Sequence, residues 1–173
     1  LSGIALQIDF EKAFDNIKWS FMHTVLRKFG CGPYFRKWIE IMYSNIRSSV
    51  QNNGNLAQFF EIKNGIRQGC PLSGLLFGLV VEALSRMLKQ NNGVEGIKIN
   101  GVETKILQLA DDTTVLLKNK SSITKVLKIL NLFHKISSIK ANIDKTSAHA
   151  IGKEDIPKMG EKSYGLKWKK EDI

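Results

Sequence analysis

The sequence predicts an α+β fold in which an antiparallel sheet carries helices on one face. Two short turns indicate neighbouring antiparallel strands: residues 52–55 have the composition of a hairpin loop, and Asn100 with Gly101 fits a type I′ turn. Between and after these hairpins lie helical segments that each carry one apolar stripe. Hairpin strands combined with amphipathic helices are typical of a sheet covered by helices on one side.

The first predicted strand leads directly to a carboxylate. Residues 4–8 form a nearly continuous apolar run, typical of a strand covered on both faces, and Asp9 follows at once. We expect Asp15 or Asn16 to cap the next helix, and Gly30 to end it. The apolar side chains of this helix at helical spacing are Trp19, Met22, Val25, Leu26 and Phe29.

A second helix and a hairpin follow. Pro33 is expected to begin the helix, because proline suits the first helical position. Its predicted inward side chains are Phe35, Trp38, Ile39 and Met42. We interpret these aromatic residues as core rather than as a surface that stacks on nucleic acid. Residues 48–62 alternate around the turn at 52–55, which predicts the hairpin.

A polar loop precedes the longest apolar segment. Glycine flanks the loop at residues 65–71, and residues 72–89 form an apolar helix whose start is marked by Pro71 or Ser73. The predicted inward positions of this helix are Leu75, Leu76, Leu79, Val80, Ala83, Leu84 and Met87. Residues 93–109 are then predicted to form the second hairpin.

Two adjacent carboxylates, Asp111 and Asp112, lie between two short runs rich in apolar and β-branched residues, which predicts a strand, a tight turn and a strand. For this dipeptide alone, a solvated turn is the more common explanation. A buried pair of acids would be costly unless a cation or hydrogen-bond donors offset the charge. An amphipathic helix at 121–138 and two short strands, at 146–151 and 164–168, complete the predicted elements.

Composition limits the class of protein. The chain has 173 residues, about one domain by the usual length prior, and 43% of them are hydrophobic. Lys and Arg outnumber Asp and Glu by 26 to 16, a formal charge of +10. This charge favours polyanionic partners, nucleic acid first and acidic membrane surfaces second. The two cysteines, Cys31 and Cys70, lack disulfide or metal-ligand spacing, so a zinc site has little support.

Targeting signals are not recognised in the sequence. No apolar run approaches the roughly 18 to 20 residues of a membrane span, so no membrane partner is expected. Without a signal peptide, the expected location is intracellular, in the nucleus or the cytoplasm. Because the chain does not begin with methionine, we expect it to be a piece of a longer protein.

The carboxylates suggest a chemistry if the fold brings them together. Asp9 ends one strand and the Asp111–Asp112 pair ends a hairpin roughly 100 residues later, and adjacent strands lie about 4.8 Å apart. Converging carboxylates repel one another unless hard divalent cations lie between them. Two Mg²⁺ ions can activate an attacking hydroxyl and stabilise the leaving oxygen of an in-line displacement. Phosphoryl transfer would suit both the acids and the basic remainder of the chain.

Three blocks of residues occur in the order seen in reverse transcriptases. They are Asp9-Phe10-Glu11-Lys12-Ala13-Phe14-Asp15, Arg67-Gln68-Gly69-Cys70-Pro71-Leu72-Ser73 and Ala110-Asp111-Asp112. The match resembles most closely the polymerase of non-LTR, LINE-type retrotransposons. Residues 140–146 are similar to the fourth block of that family, and residues 164–168 to its primer-grip region. The resemblance covers nearly the whole chain.

This resemblance implies a right-hand polymerase palm. Residues 1–173 would be one palm domain, with 48–64 as a fingers-like hairpin and with the upstream fingers and the thumb absent. The implied activity is RNA-directed DNA polymerase, which adds deoxynucleotides to a primer 3′-hydroxyl on an RNA template, as part of a retrotransposon protein. The implied cofactors are two Mg²⁺ ions, with Mn²⁺ as a substitute. The implied partners are an RNA template, a DNA primer and deoxynucleoside triphosphates.

The resemblance also implies roles for individual residues. Asp9 and Asp111 would be metal ligands, Asp112 would support a metal or the primer end, and the carbonyl of Phe10 would add a ligand. Lys145 would protonate the pyrophosphate leaving group. The nucleotide-binding residues would be Lys12 and Ala13 through their backbone N–H groups, Phe14 under the incoming sugar, and Arg67 and Gln68. Tyr164 and Gly165 would belong to the primer grip.

Several positions depart from the family pattern. Leu109 replaces a common aromatic, Gly74 replaces Pro or Ala, and Ser138 stands where glycine is usual. Tyr164 and Gly165 lack the leucine usually found between them. These departures keep open an alternative, a catalytically inactive palm remnant that binds nucleic acid by charge. A two-metal nuclease would use the same acids but gives no reason for Phe14 or Gln68.

Overall fold

The computed structural model describes residues 2–152 and 164–169 of the chain. Within them the helices are α1 (Ala13–Asn16), α2 (Trp19–Lys28), α3 (Pro33–Met42), α4 (Pro71–Gln90) and α5 (Ser121–Ser137). Four short antiparallel pairs are β2 (Phe10–Glu11) with β11 (Lys140–Ala141), β3 (Arg47–Ser48) with β6 (Phe60–Glu61), β4 (Gln51–Asn52) with β5 (Asn55–Leu56), and β7 (Ile97–Ile99) with β8 (Val102–Thr104). The predicted domain, 1–173, also includes residues 1, 153–163 and 170–173, which lie outside the described residues.

The centre of the fold is a sheet of five strands among the described residues. Strand β1 (Gly3–Ile8) lies in the middle, antiparallel to both β10 (Asp112–Leu117) and β12 (Ser147–Ile151). The outer strands are β9 (Ile106–Leu109), antiparallel to β10, and β13 (Lys167–Lys169), parallel to β12. The first and last segments of the chain thus meet in one sheet.

Helices cover one face of this sheet. Along β1, Ile4, Leu6 and Ile8 are buried, whereas Gln7 is exposed. The buried strand residues share one core with Met22, Leu26, Leu76, Phe77, Leu84, Val126 and Phe133 of α2, α4 and α5. The prediction that this strand is covered on both faces is wrong at Gln7, which is exposed on a face that no helix among the described residues covers. We call this the open face. The predicted α+β class is confirmed.

Both predicted hairpin turns are confirmed. Asn53 and Gly54 connect β4 to β5, and Asn100 and Gly101 connect β7 to β8. All four residues have positive φ, between 49° and 82°. Positive φ at both loop residues is the geometry that type I′ turns require, and it is why Asn-Gly pairs are favoured there.

Helix α3 corrects the prediction of a buried aromatic stripe. It begins at Pro33 as expected, but of its four predicted core residues only Ile39 is buried. Trp38 is 65% exposed, and Phe35 and Met42 are also exposed. The reason is that α3 packs on α2 along one narrow side, so a helix with apolar residues around much of its circumference leaves most of them outside.

Two helix starts also differ from expectation. Helix α2 begins at Trp19 with Lys18 at the N-cap and without a side-chain cap. Asp15 and Asn16 do not cap it, because both lie inside the separate short helix α1, where the Asn16 side-chain amide donates to the Glu11 carbonyl at 2.8 Å. Helix α4 begins at Pro71, the first of the two predicted candidates.

Helix α4 is the long apolar element of the core. Its 20 residues include an 18-residue stretch with a mean hydropathy of 1.4, which by length and composition alone is apolar enough to cross a membrane, so the expectation that no segment reaches this length is wrong. Eight of its residues are buried, and it packs against α2, α5 and β9. Leu75, predicted to face inward, is exposed. Core packing accounts for the buried apolar residues of α4 but not for Leu75.

Replacing Leu84 by alanine should destabilise the fold strongly, because its side chain is fully buried in α4. We expect the free energy of unfolding in urea to fall by about 2–5 kcal/mol. Leu75→Ala in the same helix is the matched control, since Leu75 is 58% exposed, and should cost less than about 0.5 kcal/mol. Similar losses for the two variants would contradict this assignment of the core.

Candidate active site

The pairing of β1 with β10 brings the predicted acids to one edge of the sheet. The ladder ends with Ile8 opposite Thr113, so continuing it by one residue sets Asp9 beside Asp112. Asp111 lies in the turn between β9 and β10, directly before Asp112. All three aspartates are exposed, and within the described residues their side chains make no ion pair or hydrogen bond.

The turn before β10 is tight and strained. Leu109 pairs with Asp112, which leaves only Ala110 and Asp111 as the loop. Ala110 has φ of 52°, a left-handed conformation that is rare for residues other than glycine and costs on the order of 1 kcal/mol. This turn directs Asp111 to the same edge as Asp9.

The three acids line one groove of about 480 Å³. The other polar residues along it include Gln7, Lys145, Ser147 and Lys169. A second groove of about 440 Å³ lies between α2 and α3, but its single carboxylate, Glu40, forms an ion pair with Lys37. The first groove is therefore the one with chemistry for cation and phosphate binding.

The donor set of the groove suits a hard divalent cation. Carboxylate oxygens are the ligands that Mg²⁺ prefers, and Asp9, Asp111 and Asp112 supply them in this groove. Among residues 2–152 and 164–169, no group of three or more His, Cys, Asp and Glu is gathered closely enough to hold an ion by itself. Mg²⁺ is commonly bound by one or two carboxylates and completed by water and substrate phosphates. The residues present fit that open type of site.

Comparison with known proteins identifies the family. The family model described as reverse transcriptase (RNA-dependent DNA polymerase) matches residues 2–168. The chain belongs to the reverse transcriptase family.

Relatives of this reverse transcriptase domain include retrotransposon proteins. The domain is 25% identical over 173 residues to the uncharacterized 149 kDa protein of transposon TX1 from Xenopus laevis. It is 28% identical over 152 residues to the Pol polyprotein of the type-2 retrotransposable element R2DM from Drosophila melanogaster. These matches cover 100% and 88% of this chain but only 13% and 14% of the relatives. They confirm the prediction of a non-LTR retrotransposon reverse transcriptase domain.

Solved structures with a similar fold include telomerases. The telomerase of Candida tropicalis, in complex with a TWJ fragment of telomeric RNA, superposes with a TM-score of 0.67 at 14% identity. The match covers 92% of this chain and 28% of that one. The telomerase of Candida albicans gives a TM-score of 0.60. The fold prediction, a polymerase palm, is confirmed.

The predicted nucleotide-binding residues of the reverse transcriptase come together beside the groove rather than in it. The loop after β6 follows α1 closely: the Gly65 N–H donates to the Ile17 carbonyl at 2.8 Å, and the Ile66 N–H to the Phe14 carbonyl at 2.7 Å. At the tip of this loop, the Gln68 side chain donates to the Asp15 carboxylate at 3.3 Å. Residues more than 50 positions apart thus form one surface.

Phe14 serves partly as a core residue. Its ring stacks on the ring of Phe77, with centroids 4.1 Å apart and an angle of 12° between the planes, and it is only half-buried. Ala13 is buried, whereas the Lys12, Arg67 and Gln68 side chains are exposed. The structure therefore leaves part of the Phe14 ring accessible and fixes its position by packing.

The loop at residues 65–69 is also held from α4 and α3. The Ser73 hydroxyl donates to the Arg67 carbonyl, and the Cys70 N–H donates to the same oxygen. Burial raises the pKa of the hydroxyl of Tyr43, the C-cap residue of α3, while its hydrogen bond with Ser73 acts in the opposite direction. Ser73, considered only as a helix start from the sequence, thus supports the Arg67 backbone.

The predicted primer-grip residues do not line the groove. Tyr164 and Gly165 form a turn with φ of 61° and 75°, and Leu166 and Trp168 after it are buried. The groove instead contains Lys169, Ser147 and Gln7, which sequence reasoning missed. Alternation within a strand shows which of its side chains share a face, but only the pairing of β1 with β12, which has no local signal, places Gln7 opposite Ser147.

Gly65→Ala should destabilise the domain more than any other glycine substitution in this loop. A Cβ at Gly65 would lie 2.6 Å from the Asp15 carbonyl oxygen and 2.9 Å from its Cα, and its φ is +89°. We expect a loss of about 3 kcal/mol or more in the free energy of unfolding, since strain and backbone overlap add.

Gly69→Ala is the control for backbone strain alone. Gly69 has φ of +82°, but a Cβ at this residue would have no atom within 4 Å of it. Its cost should be about 1 kcal/mol. Equal losses for the two variants in urea unfolding would show that the close approach of loop and α1 does not exist.

Proposed function

We propose that this domain is the catalytic palm of an RNA-directed DNA polymerase that adds deoxynucleotides to a primer 3′-hydroxyl on an RNA template, within a retrotransposon protein. The observation that supports this most strongly is the shared groove of Asp9, Asp111 and Asp112 in a chain of the reverse transcriptase family. Three carboxylates without a partner among the described residues, in a chain of charge +10, suit metal-assisted phosphoryl transfer on nucleic acid.

In this proposal the acids hold the metal and the primer end. Asp9 and Asp111 are the ligands, Asp112 supports them, and the Phe10 carbonyl adds an oxygen. Two bound Mg²⁺ ions, or Mn²⁺ in their place, would supply charge stabilisation for the attacking and leaving oxygens. Lys145, whose side chain lines the same groove, donates a proton to the pyrophosphate as it leaves.

The surface beside the groove binds the incoming nucleotide. Backbone N–H groups of Lys12 and Ala13 face the triphosphate, and Arg67 and Gln68 contact the nucleotide or the template. Phe14, fixed on Phe77, lies under the sugar, where its bulk rejects a 2′-hydroxyl. Tyr164 and Gly165 support the primer strand from the turn before β13. The substrates are thus deoxynucleoside triphosphates, a DNA primer and an RNA template.

Asp111→Asn tests the proposal by primer extension. The full polypeptide that carries this domain is supplied with an RNA template, a labelled DNA primer, deoxynucleotides and Mg²⁺. Loss of a metal ligand removes several kcal/mol of transition-state stabilisation, so extension should fall by about 100-fold or more. Glu82→Gln is the control, because this half-exposed glutamate forms an ion pair with Arg86 on α4 and does not line the groove.

Two results would contradict the polymerase proposal. Equal extension by wild type and Asp111→Asn would show that the groove carboxylates do not take part in primer extension. Shortening of the labelled primer without added nucleotides would instead support the nuclease that the same acids allow.

A non-catalytic palm that binds nucleic acid by charge is the second candidate. The observation that favours it is Ser138, which adopts φ of 66° at the end of α5, where glycine would be relaxed. Such strain is expected in a sequence that has drifted from its family. This candidate predicts binding that weakens steeply with salt and no synthesis; robust Mg²⁺-dependent extension would exclude it.

A further inference from the structure

The peptide group of Asp9 is held on both sides by the turn that connects β11 to β12. On one side the Asn142 N–H donates to the Asp9 carbonyl at 2.8 Å. On the other side the Asp9 N–H donates to the hydroxyl oxygen of Thr146 at 3.4 Å. One short turn therefore contacts both the donor and the acceptor of the Asp9 backbone.

The Thr146 hydroxyl bridges this arrangement. Thr146 is fully buried, and its hydroxyl donates to the Asn142 carbonyl at 2.7 Å. Since a hydroxyl has a single hydrogen, that bond directs its lone pairs away from the carbonyl and leaves one for the Asp9 N–H. The Thr146 N–H donates to the same Asn142 carbonyl at 2.8 Å, which fixes the residue within the turn.

Asp9 needs such a support because it lies beyond the sheet ladder. The paired residues of β1 end at Ile8 with β10 and at Gln7 with β12. The Asp9 side chain is exposed in the groove and has no protein partner among the described residues. Its position relative to Asp111 and Asp112 is therefore set by its backbone, which the turn holds between the end of β1 and the pairing of Phe10 with Ala141.

We propose that Thr146 is a positioning residue for Asp9, which sets the spacing of the groove carboxylates and thereby the affinity of the groove for a divalent cation. This inference rests on the proposed function, since it names the residue that prepares the metal-binding carboxylate. The same turn carries Lys145 into the groove, with the Lys145 N–H donating to Asn142 at 3.2 Å. The turn thus positions both the metal-binding carboxylate of Asp9 and the cationic side chain of Lys145.

The test compares Thr146→Val with Thr146→Ser. Valine keeps the shape and branching of threonine but removes the hydroxyl, whereas serine keeps the hydroxyl. Ser122→Ala is the matched control, because Ser122 is also fully buried and its hydroxyl accepts a hydrogen bond from the Glu95 N–H at 3.2 Å. Ser122 does not line the groove. Each full-length variant is titrated with Mn²⁺ alone, and unbound Mn²⁺ is counted by electron paramagnetic resonance.

Thr146→Val should weaken Mn²⁺ binding about tenfold, the usual effect of losing a partner that orients a metal ligand. Thr146→Ser should stay within about twofold of wild type, and Ser122→Ala should bind as wild type does even if it unfolds at lower urea concentration. Wild-type affinity in Thr146→Val, equal weakening in Ser122→Ala, or no uptake of Mn²⁺ by the wild-type protein would overturn the proposal.

A measurement on the wild-type protein covers the case in which Thr146→Val does not fold. Hydrogen exchange at the Asp9 amide should be slow although the residue lies past the strand ladder, because its N–H is bonded to a buried hydroxyl. Exchange as fast as in an open loop would overturn the proposal. Primer extension distinguishes the two proposals. If synthesis depends on Asp111 but Thr146→Val binds Mn²⁺ as wild type does, only the positioning role is overturned. If Thr146→Val binds Mn²⁺ more weakly than Thr146→Ser and wild type but the wild-type protein extends no primer, only the polymerase proposal is overturned.

Discussion

Strands β1 and β10 come from distant parts of the chain, and their antiparallel register is the constraint on which the candidate site depends. With Ile8 opposite Thr113, Asp9 and Asp112 reach the same edge of the sheet. A slip of one residue would exchange the two faces of β10, so that the exposed Asp112 would turn toward the helices and the buried Val115 toward the open face. The apolar core on one side of the sheet therefore fixes the distance between the acids on its edge.

Local chemistry was sufficient to predict much of this arrangement. The two Asn-Gly turns, the proline starts of α3 and α4 and the apolar stripe of α5 each depend on residues within a few positions, and each is confirmed. The exposure of Trp38 could not be read from the sequence, because an apolar stripe shows that a helix can be buried but not that a neighbour is present to bury it. Long-range neighbours decide that question.

The carboxylates of the candidate site could be predicted from the sequence, but the residues that surround and position them could not. The family blocks indicated which carboxylates to consider, and the sheet brings them into one groove. By contrast, Lys169 and Ser147 enter that groove through the pairing of β12 with β1 and β13, for which the sequence holds no local signal. The contact between the loop at Gly65 and the backbone of Asp15 is likewise a tertiary fact, although a glycine at that position is consistent with it.

The left-handed Ala110 has a consequence for the mobility of the site. Glycine would adopt this backbone angle without strain, but it would also allow the two-residue loop to sample many neighbouring shapes. A methyl group at this position narrows the torsional range, so the carboxylate that follows is confined even before any ligand arrives. In this respect the domain exchanges a little folding stability for a smaller loss of entropy when the groove is filled.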